Sequence, residues 1–312
     1  MVDVKMNSVT EQSEEKSWVG NVHANHAGTI FFHRLIETFG IHVAYGVLFF
    51  AAWQYALFDA KSVRAIRAFR LNCGLSTRKS DFFHHFRSFG ISLIDRFILT
   101  RGMRDAIRFR FKYCNEAVIS VEADRGGVIL LGAHMGNWEI AGALLSRRLS
   151  KPVHVFMYDD QNDATDSSKQ ETTGVIIHPV QAGGADIAVE IVNALRNGEI
   201  VCMHGDRFYE GQRTLEIGFL GKMALFPAGP MAMAAITGAS VIPCFTMRRS
   251  LFEYEFSAAT PIHPERGERG NRDTLIRSAM ERYVAVLEEK CREFPLQWYN
   301  FFPFWRENQA SD

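Results

Sequence analysis

Val128-Ile129-Leu130-Leu131-Gly132-Ala133-His134-Met135-Gly136-Asn137-Trp138-Glu139 changes character twice within a short span. Its first four residues form an unbroken apolar run, which reads as a buried strand. From Trp138 to Leu145 the pattern is that of a helix start. Between them lies a turn rich in small and polar residues. An open α/β sheet presents reactive groups in this way, at the carboxyl end of a strand.

The side chains at this turn suit acid–base chemistry. His134 falls near the N-terminus of the expected helix, where the positive dipole end favours neutral imidazole, which can act as a general base. Glu139, five positions on, would fold back and accept the other ring N–H. Gly136 and Asn137 are candidates for oxyanion donors through their backbone N–H groups, or for building the turn. A core histidine beside an exposed helix-start carboxylate fits the same letters.

Outward from this stretch the chain alternates. Strands are expected over 128–132, 153–158, 174–180, 200–204, 240–246 and 252–258. Helices are expected over 137–148, 184–197, 227–237 and 273–292, with Gly183-Gly184 and Asn197-Gly198 as punctuation. Strands separated by helices predict an α/β fold: a mixed, mostly parallel central sheet flanked by helices. To this the N-terminal part adds a hydrophobic helix and a basic helical layer. Residues 1–24 are polar and read as a disordered tail.

The 21 residues from Thr38 to Phe58 contain no Asp, Glu, Lys or Arg. As one helix they would reach about 31 Å, close to a hydrocarbon core. A spanning helix and a buried or interfacial one are both compatible. From Lys61 to Lys112 there are 13 Lys and Arg against three Asp, interleaved with Phe82, Phe83, Phe86, Phe89 and Phe97. Such a layer would face anionic lipid or an acidic carrier protein, or form a solvated face over the sheet. The whole chain has 35 basic and 35 acidic residues, so nothing points to nucleic acid. Its five cysteines are scattered, without a C-x2-C pair, which predicts reduced thiols and no structural zinc. No G-x-S-x-G elbow is present.

Other residues qualify as site candidates. Asp206 follows the strand at 200–204, which puts it on the same sheet edge as His134. Arg207 would hold a phosphate or carboxylate, or pair with Asp206. Gly221 and Gly229 would let backbone approach substrate, or serve tight turns. Lys222 and Arg248 are possible anion contacts or surface charges. His84, His85, His178, His204 and His263 have no ligand-like partners and read as structural.

Several segments together resemble the lysophospholipid acyltransferase superfamily, in the bacterial branch of the late acyltransferases of lipid A biosynthesis. His134-x4-Glu139 in the setting LLGAHMGNWE resembles the H-x4-D/E motif. Met203-His204-Gly205-Asp206-Arg207 is similar to the second block. Phe219-Leu220-Gly221-Lys222, Phe226-Pro227-Ala228-Gly229-Pro230 and Thr237-Gly238-Ala239-Ser240-Val241-Ile242-Pro243 are similar to the F-x-G…G…P run. Phe294-Pro295-Leu296-Gln297-Trp298 resembles the terminal P-x-Q-W segment. The likeness covers roughly residues 28–306. Asp206-Arg207 stands where lipid A enzymes usually carry Asp-Gln or a relative, and looks more like a sister group of acyltransferases, some of which accompany pigment or aryl-polyene pathways.

The resemblance implies an O-acyltransferase without cofactor or metal. Its donor would be an acyl thioester on acyl carrier protein or coenzyme A, and its acceptor a hydroxyl of a membrane glycolipid or similar amphiphile. His134 and Glu139 would be catalytic; Asp206, Arg207, Gly221, Lys222 and Gly229 would bind substrate. Residues 25–112 would form a membrane-associated helical region and 113–312 the catalytic core, on the cytoplasmic face of a bacterial inner membrane. A non-catalytic membrane scaffold and a thioester or lipid-ester hydrolase are the other readings.

Overall fold

A computed structural model of the chain describes residues 26–100, 107–112, 115–138, 145, 148–158, 175–180, 185–208, 211–268 and 270–305. The expected tail at 1–24, most of the helix expected at 137–148, and Gly183-Gly184 lie outside the described residues.

Among the described residues, the centre of the molecule is a seven-stranded sheet. In chain order its strands are β1 (Arg108–Phe111), β2 (Val128–Gly132), β3 (Val153–Tyr158), β4 (Ile176–Val180), β5 (Ile200–His204), β8 (Ser240–Ser250) and β9 (Glu253–Ala258). In space they run β1-β9-β8-β2-β5-β3-β4, and every pairing is parallel except β8 with β9. This is the mixed, mostly parallel α/β sheet expected from the alternation. All five residues of β2 are buried, as an inner parallel strand covered on both faces requires. Alternate residues still divide between two cores. Ile129 and Leu131 pack with Val201, Val241 and Tyr283, while Val128 and Leu130 pack with Ile119, Val153 and Ile242.

Helices α5 (Asn115–Arg125), α6 (Ala185–Arg196), α7 (Gly229–Thr237) and α8 (Arg272–Glu293) flank the sheet. The buried residues of α8, among them Ile276, Ala279, Met280, Tyr283, Val284 and Leu287, repeat at helical spacing and seal one face. Two strands outside the main sheet, β6 (Thr214–Phe219) and β7 (Lys222–Pro227), form a hairpin turned by Leu220-Gly221.

The N-terminal region holds α1 (His26–Phe39), α2 (Ile41–Phe58), α3 (Ala60–Asn72) and α4 (Lys79–Thr100). The apolar stretch 38–58 is therefore not one helix. It breaks at Gly40, where φ is 81°, and leaves an 18-residue α2 of about 27 Å. The edge strand β1 comes from the segment expected to be helical, residues 25–112, and pairs in parallel with β9. Sheet and helical region thus share one structure across that boundary.

Candidate active site

Register places the site. β2 and β5 are parallel neighbours with Gly132 opposite His204. Two residues beyond each strand end, His134 therefore meets Asp206. The strand ends are pinned together, because the Gly205 N–H and the Tyr283 hydroxyl both donate to the Gly132 carbonyl, at 2.9 and 2.6 Å.

Asp206 is only 2% exposed and accepts three hydrogen bonds. One oxygen takes the His134 Nδ1–H at 2.8 Å. The other takes the His134 backbone N–H at 3.0 Å and the Trp298 Nε1–H at 3.1 Å. Burial alone would raise the Asp206 pKa, but the His134 ring, its hydrogen bond and the Arg207 guanidinium outweigh it and hold the carboxyl well below the usual range. An ionised Asp206 accepts at Nδ1, so the proton of a neutral His134 sits on Nδ1 and Nε2 keeps its lone pair. Burial lowers the His134 pKa; Arg207 adds to that, and Asp206 opposes it. The His134 side chain keeps 26% exposure. The result is a neutral, fixed imidazole with a basic nitrogen left for a ligand.

The turn is held from two sides. At Gly136 φ is 63°, and a Cβ there would lie 2.0 Å from the Thr246 carbonyl oxygen, so only glycine fits. The Gly136 N–H donates to the Gln297 carbonyl at 2.8 Å and the Asn137 N–H to the Thr246 carbonyl at 2.9 Å. Of the two roles expected for these residues, oxyanion donor or turn, the bonding is that of the turn: both N–H groups are spent on building it. The Asn137 side chain donates to the Ser92 carbonyl at 2.9 Å and ties the turn to α4. On the other flank, the His134 carbonyl accepts from the Tyr299 N–H at 2.8 Å. The Gln297 amide bonds both backbone groups of Arg248, accepting at 2.9 Å and donating at 2.8 Å.

Sequence reasoning did not mark Trp298, Gln297 or Tyr283 as site residues. For the first two the signal was the P-x-Q-W segment itself: a Trp buried deep in a core needs a partner for its N–H. His204, read as structural, faces the site instead. Its ring centroid lies 4.3 Å from that of His134 and 4.8 Å from Trp138. Burial and the His134 ring hold its pKa well below the usual imidazole value. Arg207 lies beside the pair; it donates to the Tyr299 carbonyl at 2.8 Å and covers the Phe302 ring at 5.4 Å.

The remaining candidates are spread out. Gly221 is at the tip of the β6–β7 turn, where the Leu220 N–H bonds Glu288 of α8 at 2.8 Å. Lys222 is exposed opposite Phe219, and Gly229 opens α7. Among the described residues no hydrogen bond or ion pair joins these three to His134 or Asp206. Glu139 lies outside the described residues. Arg248 donates to the Ser88 hydroxyl at 3.1 Å, behind the turn. Cys202 is held by burial at a pKa of about 12, so it offers no thiolate.

Fold and site together define an α/β protein that carries a carboxylate-held neutral imidazole at the carboxyl edge of a mostly parallel sheet. The sequence narrows this further: the chain belongs to the bacterial lipid A biosynthesis acyltransferase family, whose profile matches residues 76–307. Among curated proteins it is similar to a phosphatidylinositol mannoside acyltransferase of Mycobacterium tuberculosis (strain CDC 1551 / Oshkosh). They are 29% identical over 128 residues, covering 38% of this chain and 37% of the relative. It is also similar to the protein of that name from Mycolicibacterium smegmatis, 23% identical over 189 residues, or 60% of this chain and 59% of the relative. The matched stretch thus spans between 37% and 59% of the length of these relatives.

Proposed function

We propose that the chain moves a fatty acyl group from an acyl thioester to a hydroxyl of a membrane glycolipid or similar amphiphile. The observation that carries this reading is the bond from His134 Nδ1 to a buried, ionised Asp206. It leaves Nε2 as the base. Nε2 removes the acceptor's hydroxyl proton as the oxygen attacks the thioester carbonyl carbon. The C–O bond forms, the carbonyl oxygen becomes an oxyanion, and Arg207 offsets its charge. On collapse the C–S bond breaks, and the imidazolium returns the proton to the departing thiolate. Asp206 stabilises that imidazolium throughout, and no acyl-enzyme forms. Glu139, the acid of the H-x4-E motif, is assigned to the same step.

The thioester would be carried by acyl carrier protein or coenzyme A. The acceptor class is supported by family membership and by relatives whose names place a glycosylated phospholipid as acceptor. The apolar α2 and the basic residues that follow support a position on the cytoplasmic face of a bacterial inner membrane. Purified protein given acyl carrier protein or coenzyme A thioesters and membrane lipid should yield acylated lipid. His134→Ala, Asp206→Asn and Glu139→Ala should each lose that product while staying folded. Full transfer by a well-folded His134→Ala protein refutes the mechanism. Free fatty acid as sole product would mark a hydrolase, and no turnover a scaffold.

A further inference from the structure

The two faces of α2 differ in what they touch. Ala44, Leu48, Ala52 and Ala56, one per turn, are its buried residues. They face α4, where Gly90 lets the helices close: a Cβ at Gly90 would lie 2.1 Å from a Leu48 methyl. The Tyr45 hydroxyl donates to Asp95 of α4, Trp53 stacks on Phe83 at 4.6 Å, and Tyr55 stacks on Phe86 at 5.7 Å. The opposite face carries Val43, Phe50 and Leu57, seven residues apart and 43%, 73% and 52% exposed. Phe39, just before α2, and Phe58, its last residue, are also exposed.

The partner helix cannot follow α2 into hydrocarbon. α4 carries Asp81, Arg87, Asp95 and Arg96. It is also bonded to the site: Ser92 accepts from Asn137, the His85 ring donates to the Trp298 carbonyl at 3.0 Å, and Asp95 accepts from Tyr254 at 2.6 Å. A spanning α2 would have to strip its whole inner stripe from α4. Directly after α2, helix α3 exposes Lys61, Arg64 and Arg67 at helical spacing. An exposed apolar stripe followed along the chain by exposed cations is the combination that binds an anionic lipid leaflet.

We propose that α2 is an in-plane membrane seat rather than a span. Its inner face stays on α4, Val43, Phe50 and Leu57 enter one leaflet, and Lys61, Arg64 and Arg67 meet anionic headgroups. The proposal rests on the membrane reading above. It puts α4, to which the His134 turn is bonded through Asn137 and Ser92, directly behind the lipid-facing helix, so the acceptor is drawn from that same leaflet.

The test uses the full-length chain. Thr38→Cys and Ala60→Cys, at exposed positions flanking α2, are treated with a membrane-impermeant maleimide in right-side-out and inverted inner-membrane vesicles, with the parent chain as background. Both should label from one side only; labelling from opposite sides overturns the in-plane seat and leaves the membrane reading standing. Flotation with phosphatidylcholine vesicles, with and without phosphatidylglycerol, is the second measurement. Phe50→Glu should weaken binding roughly tenfold or more, with an unchanged melting temperature and unchanged turnover of a detergent-dispersed acceptor. Wild-type binding by Phe50→Glu overturns the assigned face. Loss of a dimer without loss of vesicle binding shows that a second copy covers the face and overturns the proposal. Failure of the parent chain to bind any vesicle overturns the membrane reading together with it.

Discussion

The chemistry of the site converges on one carboxylate. Asp206 accepts from three donors, two of them from His134 and one from Trp298. Asp206→Asn replaces an acceptor by an amide whose N–H2 would face donors, so the Nδ1 tautomer is lost. Acyl transfer should fall by roughly three orders of magnitude or more, measured as kcat/KM, with little change in fold. Trp298→Phe keeps the buried ring and removes only the N–H. A hydrogen bond to a charged group contributes about 1.5–3 kcal/mol, so stability should drop within that range in urea unfolding. The pH profile separates positioning from packing. Burial depresses the His134 pKa, so the acid limb of the wild-type profile should lie below the ordinary imidazole value of about 6.5. Without the indole donor Asp206 holds the imidazolium better, and the limb should move to higher pH in Trp298→Phe. A wild-type limb above that value contradicts a neutral His134. Of these contacts, His134 and Asp206 were legible as strand-end residues. Trp298 lies 92 residues beyond Asp206, and only the fold brings it there.

Among the elements, the turn after β2 is the most constrained. Gly136→Ala meets both a left-handed φ and the Thr246 carbonyl, and should destabilise the protein by about 2–4 kcal/mol. Transfer activity should be lost with it, because the turn aims His134; normal melting and activity in that variant would contradict the assignment. Strand and helix periods in the sheet region were readable, since buried strands such as Val128–Leu131 and the α8 stripe repeat simply. The short strand β1 and the β6–β7 hairpin were not. Arg108–Phe111 alternates charge and aromatics within four residues, too short to separate from a helical pattern. The uncharged run 38–58 hid a break, because composition does not report a backbone turn at Gly40.

At the scale of the molecule, α4 couples the N-terminal helices to the sheet, and His85 is its buried link. The ring is fully enclosed, donates from Nε2 to the Trp298 carbonyl, and burial pushes its pKa down to about 4. A group with a depressed folded pKa that must stay neutral favours folding above its unfolded value. That stability is complete above pH of about 6.5 and is lost as the pH falls toward 4, by about 3 kcal/mol. Urea unfolding at neutral and acid pH measures it. His85→Asn can keep a donor to Trp298 and takes up no proton, so its acid slope should be shallower by that amount; an identical slope in both proteins would show that His85 is not responsible. The mixed α/β class, the strand order along the chain, the imidazole at the end of β2 and the apolar–basic N-terminal region follow from local pattern: each depends on residues a few positions apart, whose burial sets a period. The tertiary structure alone decided which carboxylate holds His134, why the turn's N–H groups are already used, and which face of α2 is open. Those depend on residues that meet through parallel register and helix packing, and contacts between distant segments leave no periodic trace in the chain.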